Sequence, residues 1–125
     1  MITAVHTLIY CDDPPAARAF FRDVLGFPAV DTGGGWLIFT TGPSELGVHP
    51  NAWEYNGQAD GTNQRFDVSL MCDNLAATME ELSAKGAEFD GEPVQQAWGL
   101  TVNLKVPGAG PITLFEPNYD PPALN

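Results

Sequence analysis

Residues 6–27 read HTLIYCDDPPAARAFFRDVLGF and residues 66–89 read FDVSLMCDNLAATMEELSAKGAEF. Each stretch opens on an apolar, strand-like run, turns at an acidic residue, continues with apolar residues at helical spacing and stops at a glycine. In the first, Asp13 is a fitting N-cap with Pro14 and Pro15 at the first helical positions. Ala17, Phe20, Phe21, Val24 and Leu25 then form the apolar stripe, and Gly26 ends it. In the second, Asp73 is the expected cap, Leu75, Met79 and Leu82 the stripe, and Gly86 the stop. Asp13, Ala16, Ala17 and Gly26 map onto Asp73, Ala76, Ala77 and Gly86 at a constant offset of about 60 residues, a period too long for a solenoid repeat. Two copies of one unit are implied.

The flanking sequence extends each copy in the same way. Ile2 to Tyr10 is the first strand candidate, and three more follow the first helix near Phe27–Asp31, Trp36–Thr41 and Glu45–His49, separated by Gly33-Gly34-Gly35 and Gly42-Pro43. The second copy offers Phe66–Cys72 before its helix, then Glu92–Gln96, Leu100–Val106 and Pro111–Glu116, with Pro107-Gly108-Ala109-Gly110 turning the last pair. The expectation is an α+β fold of two βαβββ modules whose curved mixed sheets surround a central cavity. At 125 residues this is one domain, with module one at about 1–50, module two at 66–125 and a linker at 51–65. That linker, rich in Asn, Gly, Gln and Asp, reads as carrying no element of its own.

Strands alternate faces, so each can be sorted. Phe66, Val68, Leu70 and Cys72, Leu46 with Val48, Val102, Leu104 and Val106, and Ile112 with Leu114 are apolar sets suited to packing under helices. Their alternates, Asp67, Ser69 and Met71, Thr101, Asn103 and Lys105, Thr113 and Phe115, and Glu45 with His49, are mixed and partly polar, and should line a solvated cleft. On the first strand His6 and Tyr10 share the cleft side.

Composition narrows the partners. With 44% hydrophobic residues a sizeable core is available. The formal charge of −11 would repel nucleic-acid phosphates and anionic membranes and would draw a cationic ligand. Cys11 and Cys72 sit in apolar runs, where a free thiol packs as a small hydrophobe. No apolar stretch approaches the length of a membrane span and no export signal opens the chain, so a cytoplasmic location is expected. GGG and PGAGP follow no phosphate-loop spacing, and no G-x-S-x-G elbow occurs.

The two quoted stretches, the duplicated order and the closing VPGAGPITLFEP (residues 106–117) resemble the vicinal oxygen chelate superfamily, the group of glyoxalase I, bleomycin-resistance proteins and extradiol dioxygenases, over essentially the whole chain. The resemblance implies a cavity between modules, frequent dimerisation and, in the enzymes, a divalent metal held by His or Glu from several strands. Carried over by position, the ligand sites fall on His6, Glu45 and Asp67, or Phe66 in a register one residue different, while the usual carboxylate of the last strand falls on Thr113. Glu116 lies three residues further along, an odd step that turns it to the opposite face.

The reading from sequence is therefore a non-catalytic small-molecule protein that binds and sequesters an antibiotic or metabolite, nearest the bleomycin-resistance branch, without cofactor or metal and as a homodimer. Trp36, Trp53, Tyr55 and Trp98, in or beside loops, could stack on a planar or cationic ligand. The expected binding set is His6, Tyr10, Trp36, Glu45, His49, Trp53, Tyr55, Asp67, Ser69, Trp98, Asn103, Thr113 and Phe115. The alternative is a metal-dependent lyase, isomerase or dioxygenase using His6, Glu45 and Asp67 as ligands, with Glu45 a candidate proton carrier. A third reading is an accessory domain with no ligand.

Overall fold

The computed structural model describes residues 6–9, 11–45, 47, 50–64 and 66–124, with Tyr55 described by its backbone. Helix α1 spans Pro14–Ala19, and Asp13 caps it by accepting a hydrogen bond from the Ala16 amide at 3.2 Å. The next turn, Phe20–Val24, widens into a π-helix in which the Leu25 amide donates to the Phe20 carbonyl at 3.1 Å. Phe20 is buried in the core, and Phe21 stacks on Phe27 and leans against Phe39, with centroids 6.1 and 5.8 Å away. Strands β1 (Ala29–Asp31) and β2 (Leu37–Phe39) pair as an antiparallel ribbon.

A second ribbon follows, β3 (Ala52–Tyr55) with β4 (Gln58–Gly61). It occupies the segment expected to be a linker without structure. Asn56 and Gly57, both at positive φ (51° and 76°), form the two-residue connection that favours a tight antiparallel hairpin.

The second module is complete. Strand β5 (Ser69–Met71), helix α2 (Leu75–Ala84) and strands β6 (Phe89–Gln96), β7 (Gly99–Val106) and β8 (Gly110–Pro117) give a sheet of order β5-β8-β7-β6, in which β5 and β8 run parallel. Gly91, at φ 79°, lies inside a bulge between Asp90 and Val94. The cap of α2 is Asn74, whose Oδ1 accepts from the Ala77 amide at 2.9 Å, one residue later than the expected Asp73.

One face of this sheet presents Val102, Leu104, Val106, Ile112 and Leu114, all buried as the strand alternation requires, whereas Phe66, expected among them, precedes β5 and is 92% exposed. Leu75 and Leu82 of α2 cover it together with Ala17 and Phe20 of the first helical segment, in one hydrophobic cluster. Both helices thus share a core. The amides of Asp12 and Asp13 donate to the Gly108 carbonyl at 2.8 and 3.0 Å, tying the start of α1 to the β7–β8 turn.

Among the described residues the first module shows α1, the π turn and the β1–β2 ribbon. His6–Ile9 is in no strand, Glu45 and Gly47 are likewise outside any strand, and the rest of those two expected strands, including Tyr10 and His49, lies outside the described residues. The fold is mixed α+β with several small sheets, and the modules are not closed into a barrel.

Candidate binding face of the second sheet

The face of the sheet turned away from the helices carries two rows of side chains. Ser69, Thr113 and Asn103 stand in register across β5, β8 and β7, and Asp90 of β6 continues the row. Met71, Phe115, Thr101 and Val94 form the next row. Neighbouring strands lie roughly 5 Å apart, so the polar row offers hydroxyl, hydroxyl, amide and carboxylate groups at the spacing of a small ligand's own polar atoms. Asn103 and Ser69 are exposed and Thr113 is half-buried. Thr101 is buried and committed, its hydroxyl donating to the Val94 carbonyl at 3.1 Å.

An aromatic corner closes the β6–β7 end of this face. Trp98 meets Phe115 edge-on, with ring centroids 5.0 Å apart and planes at 75°. Phe115 is buried, whereas Trp98 is 42% exposed and keeps free ring surface. The chain leaving β8 is fastened here, since the Asn118 amide donates to the Trp98 carbonyl at 3.1 Å and its side-chain Nδ2 to the Ala97 carbonyl at 2.9 Å. The next residue, Tyr119, donates its hydroxyl to Oε2 of Glu45 at 3.0 Å, across 74 positions of sequence. Partial burial, reinforced by the carboxylate, holds the Tyr119 phenol above its ordinary pKa.

Of the residues expected at a binding site, this face gathers Ser69, Asn103, Thr113 and Phe115, with Trp98 packed onto it and Glu45 tied in through Tyr119. Others lie elsewhere. Trp36 is exposed and its ring is faced by the Arg18 guanidinium of α1, 5.1 Å from the centroid, so the chain supplies its own cation there. Trp53 is half-buried in the β3–β4 hairpin opposite Asp60, and Tyr55 pairs with Gln58 in the same ribbon. His6 is exposed outside any strand, and Asp67 is exposed with Oδ1 accepting from the Val68 amide at 2.9 Å. Asn118 and Tyr119 were not foreseen, because the stretch NYDPP has no periodicity and reads only as a turn.

The metal set that the resemblance implies does not fit these residues. Glu45 is engaged by a phenol, Asp67 by a backbone amide, and the last strand presents the Thr113 hydroxyl. Glu116, on the helix side, gives its carboxylate to the Leu75 amide at 2.8 Å. Among the described residues no group of three His, Cys, Asp or Glu is close enough to hold an ion.

A second recess, of about 230 Å³, opens on the helix side between the end of the π turn and α2, lined by Val24, Leu25, Leu70, Cys72, Leu82 and Lys85 among others. Burial pushes the Cys72 thiol above its ordinary pKa, outweighing a Thr78 hydrogen bond that lowers it, and Glu116 and Asp73 add to the rise.

Comparison with known proteins agrees with the duplicated architecture. The family model for the glyoxalase/bleomycin resistance protein/dioxygenase superfamily matches residues 3–116. The chain is 30% identical over 114 residues to the uncharacterized protein YetH of Bacillus subtilis, covering 84% of this chain and 91% of that one. Among solved structures, lactoylglutathione lyase of Agrobacterium tumefaciens superposes with a TM-score of 0.59 at 18% identity, covering 91% of this chain and 93% of that one. TnmS3, an antibiotic binding protein of Streptomyces sp. CB03234, superposes with a TM-score of 0.52 at 18% identity, covering 94% and 100%. The chain belongs to the glyoxalase/bleomycin resistance protein/dioxygenase superfamily. No described helix is long and apolar enough to cross a membrane.

Proposed function

We propose that this protein binds and sequesters a small organic molecule, an antibiotic or metabolite, on the helix-free face of its second sheet, without catalysing its conversion. The observation that carries the reading is the pairing of a polar row, Ser69, Thr113 and Asn103, with an exposed indole braced on Phe115. A few oriented hydrogen-bond groups beside an aromatic platform are what recognition of a planar ligand needs. A hydroxyl at Thr113 where a metal site would want a carboxylate, and an Asp67 carboxylate engaged by the Val68 amide, favour binding over metal-assisted chemistry. The antibiotic-binding neighbour supplies a precedent for such a role on this fold.

The binding unit is a homodimer. Large apolar side chains stand exposed on the chain, Phe66 at 92% and Val30 at 68%. A second copy would bury such surface and wall in the open face.

Titrating planar and basic antibiotics while following tryptophan fluorescence tests the binding reading, and saturable quenching by at least one class is expected. Silence across a broad panel overturns it. A stoichiometric divalent metal in protein purified without chelator, with lyase or dioxygenase turnover, would replace it with the metal-dependent alternative. Light scattering after size exclusion reads the dimer.

A further inference from the structure

From the contacts of the aromatic corner we infer that Tyr119 is a positioning residue that fastens the Glu45 carboxylate to the segment clamped on the Trp98 turn, so that the site selects a planar cation over a neutral ring of the same shape. The inference rests on the binding reading above and adds the ligand's charge.

Glu45 follows Gly42-Pro43-Ser44 in an exposed segment that belongs to no strand. A glutamate there would sample several rotamers and carry its charge to no particular place. The Tyr119 hydroxyl removes that freedom by holding Oε2 at 3.0 Å. Tyr119 is itself fixed, because the two Asn118 hydrogen bonds clamp the preceding residue to the carbonyls of Ala97 and Trp98. The hydrogen bonds thus run from the indole's own turn to the carboxylate. Among the described residues nothing donates to Oε1 and no lysine or arginine pairs with Glu45. Trp36 already has the Arg18 guanidinium over its ring, whereas among the described residues the Trp98 ring has the edge contact with Phe115 and no cation over it. A cationic ring stacked on Trp98 would gain both the π face and the attraction of the carboxylate that Tyr119 holds; a neutral ring would gain the stacking alone.

The test uses 9-aminoacridine, a planar cation at neutral pH, and acridine, its neutral counterpart, titrated against the full-length protein by fluorescence and calorimetry. The wild type should bind the cation more tightly. Tyr119→Phe and Glu45→Gln should each weaken 9-aminoacridine about three- to fivefold and leave acridine unchanged, so the ratio of the two affinities collapses. Trp98→Ala should weaken both. A residue with a merely structural part would move both probes together, and thermal unfolding of each variant separates that case. Equal wild-type affinities, or a Tyr119→Phe effect shared by both probes, overturns the inference while leaving the binding reading standing. Binding of neither probe overturns the inference, and if the antibiotic panel is also silent the binding reading falls with it.

Discussion

Oε1 of Glu116, on the last strand, accepts a hydrogen bond from the amide of Leu75, the first residue of α2, at 2.8 Å. The first amides of a helix have no partner within it, so a strand 41 positions away supplies what a local cap would otherwise provide. The negative charge also faces the positive end of the helix. Glu116→Ala should lower stability by about 1 kcal/mol, with Glu116→Gln losing less because an amide oxygen still accepts. Urea unfolding of the variants reads the difference, and an unchanged midpoint for the alanine variant would mean that the Asn74 side chain suffices alone.

Gly108 joins the modules through its backbone. Its carbonyl receives the amides of Asp12 and Asp13, its φ is +76°, and a Cβ there would stand 2.5 Å from Cβ of Asp13. Gly110 in the same turn also has positive φ, but nothing lies within 4 Å of the position a Cβ would take. Both alanine variants carry the conformational cost of about 1 kcal/mol, and Gly108→Ala adds the clash with the start of α1. Gly108→Ala should therefore unfold at clearly lower denaturant than Gly110→Ala, and equal midpoints would show that the modules are not joined here.

How much of this was legible follows from where local signals and packing agree. Val102, Leu104 and Val106 alternate with Thr101, Asn103 and Lys105, and a period of two fixes which set lies under helices, as it does. Asp13 before two prolines marked the first helix at its first turn. Asp73 misled by one residue, because Asn74 is an equally good cap. The Asn56-Gly57 hairpin was present as a dipeptide signal, but polar neighbours and weak alternation obscured it. The Tyr119–Glu45 contact was not readable, since it joins two turn-like segments that no periodicity relates. The first module shows the limit most clearly: Glu45 alternates correctly for a strand yet stands outside one.

Alkaline pH should weaken the fold through Cys72. Burial raises its thiol pKa above the ordinary value of 9.0, so the folded chain retains a proton that the unfolded chain releases. Stability from this group is intact below the ordinary thiol range and is lost as pH rises through the folded value. Tyr119 acts in the same direction at higher pH. Unfolding midpoints should hold steady from about pH 7 to 8 and decline above about pH 9. Cys72→Ala should flatten the first part of that decline, whatever its own effect on the midpoint at neutral pH. A slope identical to wild type would show that other groups govern the alkaline loss.

Trp98 and Trp36 divide the fluorescence response to ligand. The Trp36 ring is faced by Arg18, so a ligand would have to displace an internal cation, and that corner lies on the first module. The Trp98 ring touches Phe115 by its edge and borders the polar row. Trp36→Phe should preserve ligand-induced quenching, while Trp98→Phe should abolish most of it and Trp98→Ala should weaken affinity by about 1 kcal/mol or more. Loss of the edge contact in Trp98→Ala also costs about 0.5–1.5 kcal/mol of stability, which leaves enough folded protein for the titration if unfolding is checked first. Quenching that survives in Trp98→Phe and vanishes in Trp36→Phe would move the ligand to the other module and away from the helix-free face of the second sheet.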